Sequence, residues 1–205
     1  MGQYYACLTE DKKGKRIAWS IQTTKWAKLR NTDKDKSWDL YNGVKLMEHS
    51  WIGNSFMDSI CHRLYKKPAK VAWVGDYASD FTWETWSGDI ETRPDPKVLF
   101  KNAWNVKQKD IPYHKFDYHG KFLVNHSRGW ALDFDEYMKR CTRDGWCVHP
   151  LSLLTACGNG LGGGDFWNEY IGASAVGLWC WDRISIEDEK PEGYGLCEVE
   201  FMEAR

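Results

Sequence analysis

Three histidines stand where an imidazole can work as an acid, a base or a ligand. His49 lies in Glu48-His49-Ser50, His126 follows Asn125 in a tight turn, and His149 precedes Pro150 where a helix begins. Asp76 and Asp182 each close an aromatic apolar run, Ala72-Trp73-Val74-Gly75-Asp76 and Leu178-Trp179-Cys180-Trp181-Asp182. A carboxylate at a strand end can orient an imidazole across a cleft, provided the two come within about 2.6–3.2 Å. Arg183, beside Asp182, offers a planar fork for phosphate or carboxylate, or else an internal ion pair. A lone histidine of this kind is more often a satisfied structural donor, and that reading stands beside the chemical one for each. No Ser sits in a GxSxG elbow, which argues against a serine hydrolase. His114 and His119, five apart around Asp117, are a nonspecific metal arrangement, and no metal or cofactor is expected.

The densest run of special residues is Cys157-Gly158-Asn159-Gly160-Leu161-Gly162-Gly163-Gly164-Asp165, with five glycines in seven positions. Such a run is a mobile connector, or it serves backbone shapes and close approaches that a Cβ forbids. Consecutive N–H groups could cradle an anion there, with Asn159 and Asp165 bracketing Gly162, Gly163 and Gly164. The glycines follow a helix instead of preceding one, so neither a P-loop nor a dinucleotide fingerprint is met. Tryptophan is the outlying composition: 13 in 205 residues. Indoles in such number are not all expected in the core, and Trp51 and Trp179 are candidates for a wall on which a base stacks.

The charge balance, 28 basic against 29 acidic side chains, removes the simplest case for a nucleic-acid groove or a membrane surface. Two basic clusters remain, Lys12, Lys13, Lys15 and Arg16, and Lys66, Lys67 and Lys70. Both read as solvated element ends. The seven cysteines are odd in number and show no CxxC pair, which reads as reduced, buried thiols and a cytoplasmic setting. No apolar stretch reads as a signal peptide or a membrane span.

The elements that must position these groups follow from apolar periodicity. Residues 3–9 and 16–23 read as a hairpin around a turn at 10–15. Phe56, Met57, Ile60, Cys61 and Leu64 recur at helical spacing, in a helix that must stop before Pro68, and 70–74 reads as a buried strand. Residues 80–110 look irregular, a long ordered loop. A second hairpin pairs 121–125 with 130–134, a short helix at 136–140 is capped by Asp135, and Pro150 starts a helix at 151–157. Strands are expected at 176–181, 183–186 and 196–201. The fold class is therefore α+β, antiparallel or mixed sheets with a few short helices in a single domain. Segments 1–79 and 114–205 both read hairpin, helix, strand, which suggests pseudo-symmetric halves joined by the Trp-rich region 80–113.

Several strings are distinctive: Met1-Gly2-Gln3-Tyr4-Tyr5, Val44-Lys45-Leu46-Met47-Glu48-His49-Ser50-Trp51, Val71-Ala72-Trp73-Val74-Gly75-Asp76-Tyr77-Ala78, Phe122-Leu123-Val124-Asn125-His126-Ser127 and His149-Pro150-Leu151-Ser152-Leu153-Leu154-Thr155-Ala156. With 158–165 they resemble an uncharacterised family of small proteins from bacteria and their phages, over most of the chain except 80–113. The resemblance implies a setting, a phage or mobile-element protein in a bacterial cytoplasm, and no activity.

Three functions fit. The first is a binder of a small phosphorylated or nucleotide-like ligand, resting on the tryptophans, the glycine run and Arg183 and serving evasion of host defence. The second is a protein-binding inhibitor of a host defence enzyme, anchored by exposed Trp and Tyr. The third is a hydrolase or transferase using His49, His126 or His149 with Asp76 or Asp182.

Overall fold

A computed structural model describes residues 3–20, 45–46, 50–83, 93–141, 147–162, 166 and 175–199. Its centre is strand β1 (Tyr5–Glu10), buried along its whole length. Its alternate side chains divide between two apolar layers, as the two-residue period of a strand requires. Tyr5 and Cys7 face one layer with Trp19, Val71 and Trp73, whereas Ala6 and Leu8 face the other with Ala72 and Val74. Strand β1 pairs antiparallel with β2 (Arg16–Ser20) through the expected hairpin, and with β3 (Ala69–Gly75) on its other side.

The described strands form one mixed nine-stranded sheet, so the α+β expectation holds. Beyond β2 lies β4 (Lys109–Asp110); beyond β3 come β8 (Arg183–Glu187), β5 (Phe122–Asn125), β6 (Trp130–Asp133) and β9 (Gly195–Leu196). One flank of β3 is shared. Strand β8 runs antiparallel beside Ala69 and Lys70, while the short β7 (Ala156–Cys157) runs parallel beside Trp73 and Val74.

Helix α1 (Ser55–Leu64) covers the first layer with Phe56, Met57, Ile60, Cys61 and Leu64. Its Asn54 cap accepts hydrogen bonds from the Phe56 and Met57 amides, satisfying two of the donors a helix start leaves open. Helix α2 (Pro96–Trp104) covers the second layer with Leu99 and Ala103. It corrects the expectation of an irregular 80–110. Asp95 caps it through the Lys97 amide, and Pro96 occupies its first turn, a start signal that the surrounding tryptophans and prolines obscure. Helix α3 (Phe134–Cys141) is capped by Asp133, not Asp135: the Asp133 Oδ1 accepts from the amides of 135 and 136. Helix α4 (Pro150–Leu154) is shorter than expected because the chain leaves it to form β7.

A further correction falls at 176–181, expected as a strand. The segment is a series of turns, with Gly177 at φ 78° and Trp181 at φ 64°, and an extended strand tolerates neither value. Among the described tryptophans, Trp19, Trp73, Trp83 and Trp179 are core residues. Trp179, 1% exposed, therefore packs the interior and presents no wall to a ligand. The six described cysteines are free thiols, five of them buried.

Candidate functional site

At the end of the sheet where β1 finishes and β3 begins, three remote segments of chain border an open cleft of about 740 Å³. The first is the turn between β1 and β2. Asp11 Oδ1 accepts from the Lys13 and Lys15 amides at 2.8 and 3.0 Å, and Gly14 at φ 75° completes the reversal. These amides hold the Asp11 carboxyl below its usual range. The turn projects Lys12, Lys13 and Lys15 into the cleft.

The second segment is the end of α1 and the chain leading to β3, which contribute His62, Arg63, Lys66 and Lys67. Cations suit a helix C-terminus, whose open carbonyls carry partial negative charge. The Arg63 guanidinium lies 4.1 Å from the ring centroid of Trp19, whose Nε1 donates to Thr9 Oγ1 at 2.8 Å. This stacking covers one face of the guanidinium and leaves its edge donors available to an anion. Lys66, at φ 55°, turns away to Asp188 at 2.5 Å, a carboxylate that also takes Lys121 and the Tyr65 hydroxyl. Those donors hold Asp188 far below its usual range.

The third segment brings Ile111, Pro112 and His114. The His114 amide donates to Ser59 Oγ at 3.1 Å, which seats its ring on His62 with centroids 3.9 Å apart and planes 12° from parallel. Burial first, then His114 and Lys67, lower the His62 pKa. Six cationic side chains thus line the cleft against one carboxylate, that of Asp11. Among the described residues, Lys12, Lys13, Lys15, Arg63 and Lys67 meet no carboxylate there.

Of the lysines read as solvated faces, Lys12, Lys13, Lys15, Lys66 and Lys67 are exposed and border one open cleft. Arg16 and Lys70 stand apart from it: both bind Glu10, at 2.6 and 3.2 Å. Burial would raise the Glu10 carboxyl, but the two donors outweigh it and hold it low. No single window of sequence contains the cleft. Its one available signal was that both lysine runs flank ends of adjacent strands.

The other expected site residues do not assemble there. His149 is fully buried; its Nδ1 accepts the Leu151 amide at 3.1 Å as the cap of α4. Its Nε2 consequently carries the proton and donates to Cys61 Sγ at 3.3 Å. Burial drives this imidazole down to about 3. His126 Nε2 meets Ser185 Oγ at 2.7 Å, and that hydroxyl donates to Glu187, so His126 is held by a serine and not by Asp76 or Asp182. Burial lowers its pKa, against the pull of Glu187. Asp182 accepts from Asn125 Nδ2 at 2.9 Å and Arg128 Nε at 2.5 Å, and Asp76 accepts the Tyr4 amide at 3.2 Å. Neither carboxylate orients a described imidazole.

Arg183 donates to Pro68 O, and Trp51 is half-buried in a bridge to Val148. Asn159 closes its loop through both Phe166 backbone groups. A Cβ on Gly162 would lie 2.7 Å from Gln3 Cβ, one on Gly158 3.0 Å from Ala78, and one on Gly75 would overlap Gln3 Nε2. These glycines seat the buried Gln3 side chain, whose carboxamide meets no hydrogen-bond partner among the described residues. His49, Gly163, Gly164 and Asp165 lie outside the described residues. His114 and His119 diverge, the first to His62 and the second to Asp135 at 2.9 Å, which undoes their metal arrangement.

The His149 geometry has a measurable consequence. Its native pKa of about 3 lies below the unfolded value of about 6.5, so its contribution is complete above pH 6.5. As pH falls from there toward 3, the unfolded chain takes up a proton that the native state refuses, and stability declines by about 1.4 kcal/mol per pH unit. Urea midpoints between about pH 7 and 4 should fall steadily, and less steeply in His149→Asn, which keeps a capping side chain. Parallel slopes would disprove the assignment.

No protein-family model, curated protein or solved structure matches the chain. No described helix is long and apolar enough to cross a membrane.

Proposed function

We propose that the chain binds a small phosphorylated or nucleotide-like anion in the basic cleft, as a binder and not as a catalyst. One observation carries the reading: five cations from separate segments, without a carboxylate partner among the described residues, line a cleft holding one carboxylate. Its volume of about 740 Å³ suits a small ligand, since such pockets run to roughly 300–1,000 Å³. Closely grouped ammonium and guanidinium groups repel one another, and an anion removes that repulsion. The ligand class is the one the sequence suggests, at a different place in the chain.

A hydrolase is less well supported. Neither Asp76 nor Asp182 reaches His126 or His149, and the single carboxylate in the cleft is engaged by turn amides. A protein-binding inhibitor would present clustered aromatic anchors on an exposed face. Of the exposed large apolar side chains among the described residues, Val98, Val106, Tyr113 and Leu161 lie on separate segments, and Trp130 and Leu196 are neighbours on the paired strands β6 and β9, which gives that reading a small anchor. In the phage setting that the motifs imply, sequestering a charged host metabolite is the corresponding role.

Calorimetric titration with sulfate, whose charge is constant across the range, tests the reading. Sulfate beside His62 opposes the burial and cationic neighbours that lower its pKa, so binding takes up a proton. His114, Lys67 and the other cleft cations are the charged groups around it. Affinity should rise by about three- to tenfold from pH 8 to 5.5. His62→Gln should flatten the profile. Absence of binding by sulfate and by every nucleotide tried would reject the reading.

A further inference from the structure

Resting on that reading, we infer that the cleft is built for an oligophosphate chain of about three phosphates, taken up without a divalent metal. The first argument is charge. Five lining cations have no carboxylate partner among the described residues, whereas Lys66 shares Asp188 with Lys121. A phosphate monoester carries only about −1.5 to −2 and would leave most of that repulsion in place; a triphosphate, at about −4, matches the five cations less Asp11. The second argument is arrangement. Lys12, Lys13 and Lys15 come from the β1–β2 turn, Arg63 and Lys67 from the end of α1 and beyond. A single phosphate gathers several donors around one point, whereas a chain carries oxygens to cations on both segments.

The third argument concerns the metal. Mg²⁺ at nucleotide sites is held by one or two carboxylates together with the phosphates and keeps several waters. Here the lining holds Asp11 alone, with one oxygen accepting two backbone amides. The lysines and the arginine take the place that the metal occupies elsewhere. A metal-loaded chain, carrying two fewer negative charges, competes poorly for them. Trp19 beneath Arg63 and the His62–His114 stack keep the cationic edge in place without a carboxylate to hold it.

The test is calorimetry of the full chain with inorganic phosphate, pyrophosphate, tripolyphosphate, ATP and GTP, each with and without excess Mg²⁺. Affinity is expected to rise by at least about tenfold at each added phosphate. The nucleotides should follow tripolyphosphate, and Mg²⁺ should weaken binding by at least about tenfold. If ATP or GTP far exceeds tripolyphosphate, the same phosphate chain is recognised as part of a nucleotide; if they are equal, the chain alone suffices. Lys67→Met, checked for folding by circular dichroism, should weaken tripolyphosphate more than phosphate. Phosphate and tripolyphosphate binding within about threefold of each other, or Mg²⁺ strengthening the complex, would overturn the inference and leave the anion cleft standing. A short single-stranded oligonucleotide that outbinds tripolyphosphate would overturn it in favour of a polymeric ligand. No binding by any member of the series would remove both readings.

Discussion

Gly177→Ala is expected to lose roughly 2–5 kcal/mol of stability, a fall in Tm of about 5–15 °C. Two effects add. At φ 78°, a side chain costs about 1–2 kcal/mol in backbone conformation alone. The new Cβ would also lie 2.6 Å from the Ala156 carbonyl oxygen. That oxygen cannot retreat freely, because Ala156 belongs to β7 and is in register with Trp73 in the buried heart of the sheet. The Gly177 amide is itself committed to Leu153 O at 2.7 Å. Gly193→Ala is the matched control: it has the same φ with nothing within 4 Å of the new atom, and should lose only the conformational part. Thermal melts of the two variants separate the contributions. Equal losses would show that the approach to β7 matters little.

Reversing charge on both walls of the cleft, Lys13→Glu with Lys67→Glu, should reduce affinity for tripolyphosphate by at least about 100-fold, with little change in Tm. Neither lysine makes an ion pair among the described residues, so folding does not depend on them. Each single change removes a favourable partner and adds a repulsive one. Two on opposite sides leave the chain of phosphates no unopposed path. Retained affinity in the double variant, with the fold intact, would exclude the cleft as the binding site.

Local signals carried much of the fold. The β1–β2 hairpin was legible from alternation around Gly14, α1 from its helical spacing and the Pro68 stop, and the β5–β6 hairpin from Gly129 at the end of its loop. Signals failed where one pattern fits two structures. The apolar run 176–181 has the composition of a buried strand, but the close approach of β7 requires turns there. His149 before Pro150 was equally suited to chemistry or to capping; only Leu151, Cys61 and the surrounding rings of Tyr118 and Phe134 decide it. The cleft was illegible for a topological reason. Residues 11–15, 62–67 and 111–114 are distant along the chain, and pairing of β1 with β3 is what sets the hairpin turn beside the end of α1. A near-zero net charge gave no hint of this local cluster of cations.

The cleft is a local concentration of positive charge that the isoelectric point, about 6.6, does not report. From afar an anion meets an almost neutral object. Within a Debye length of the hairpin tip, about 8 Å at physiological ionic strength, it meets a funnel of cations. Capture is then selective for approach direction, and its rate is more sensitive to added salt than a charge of −1 suggests.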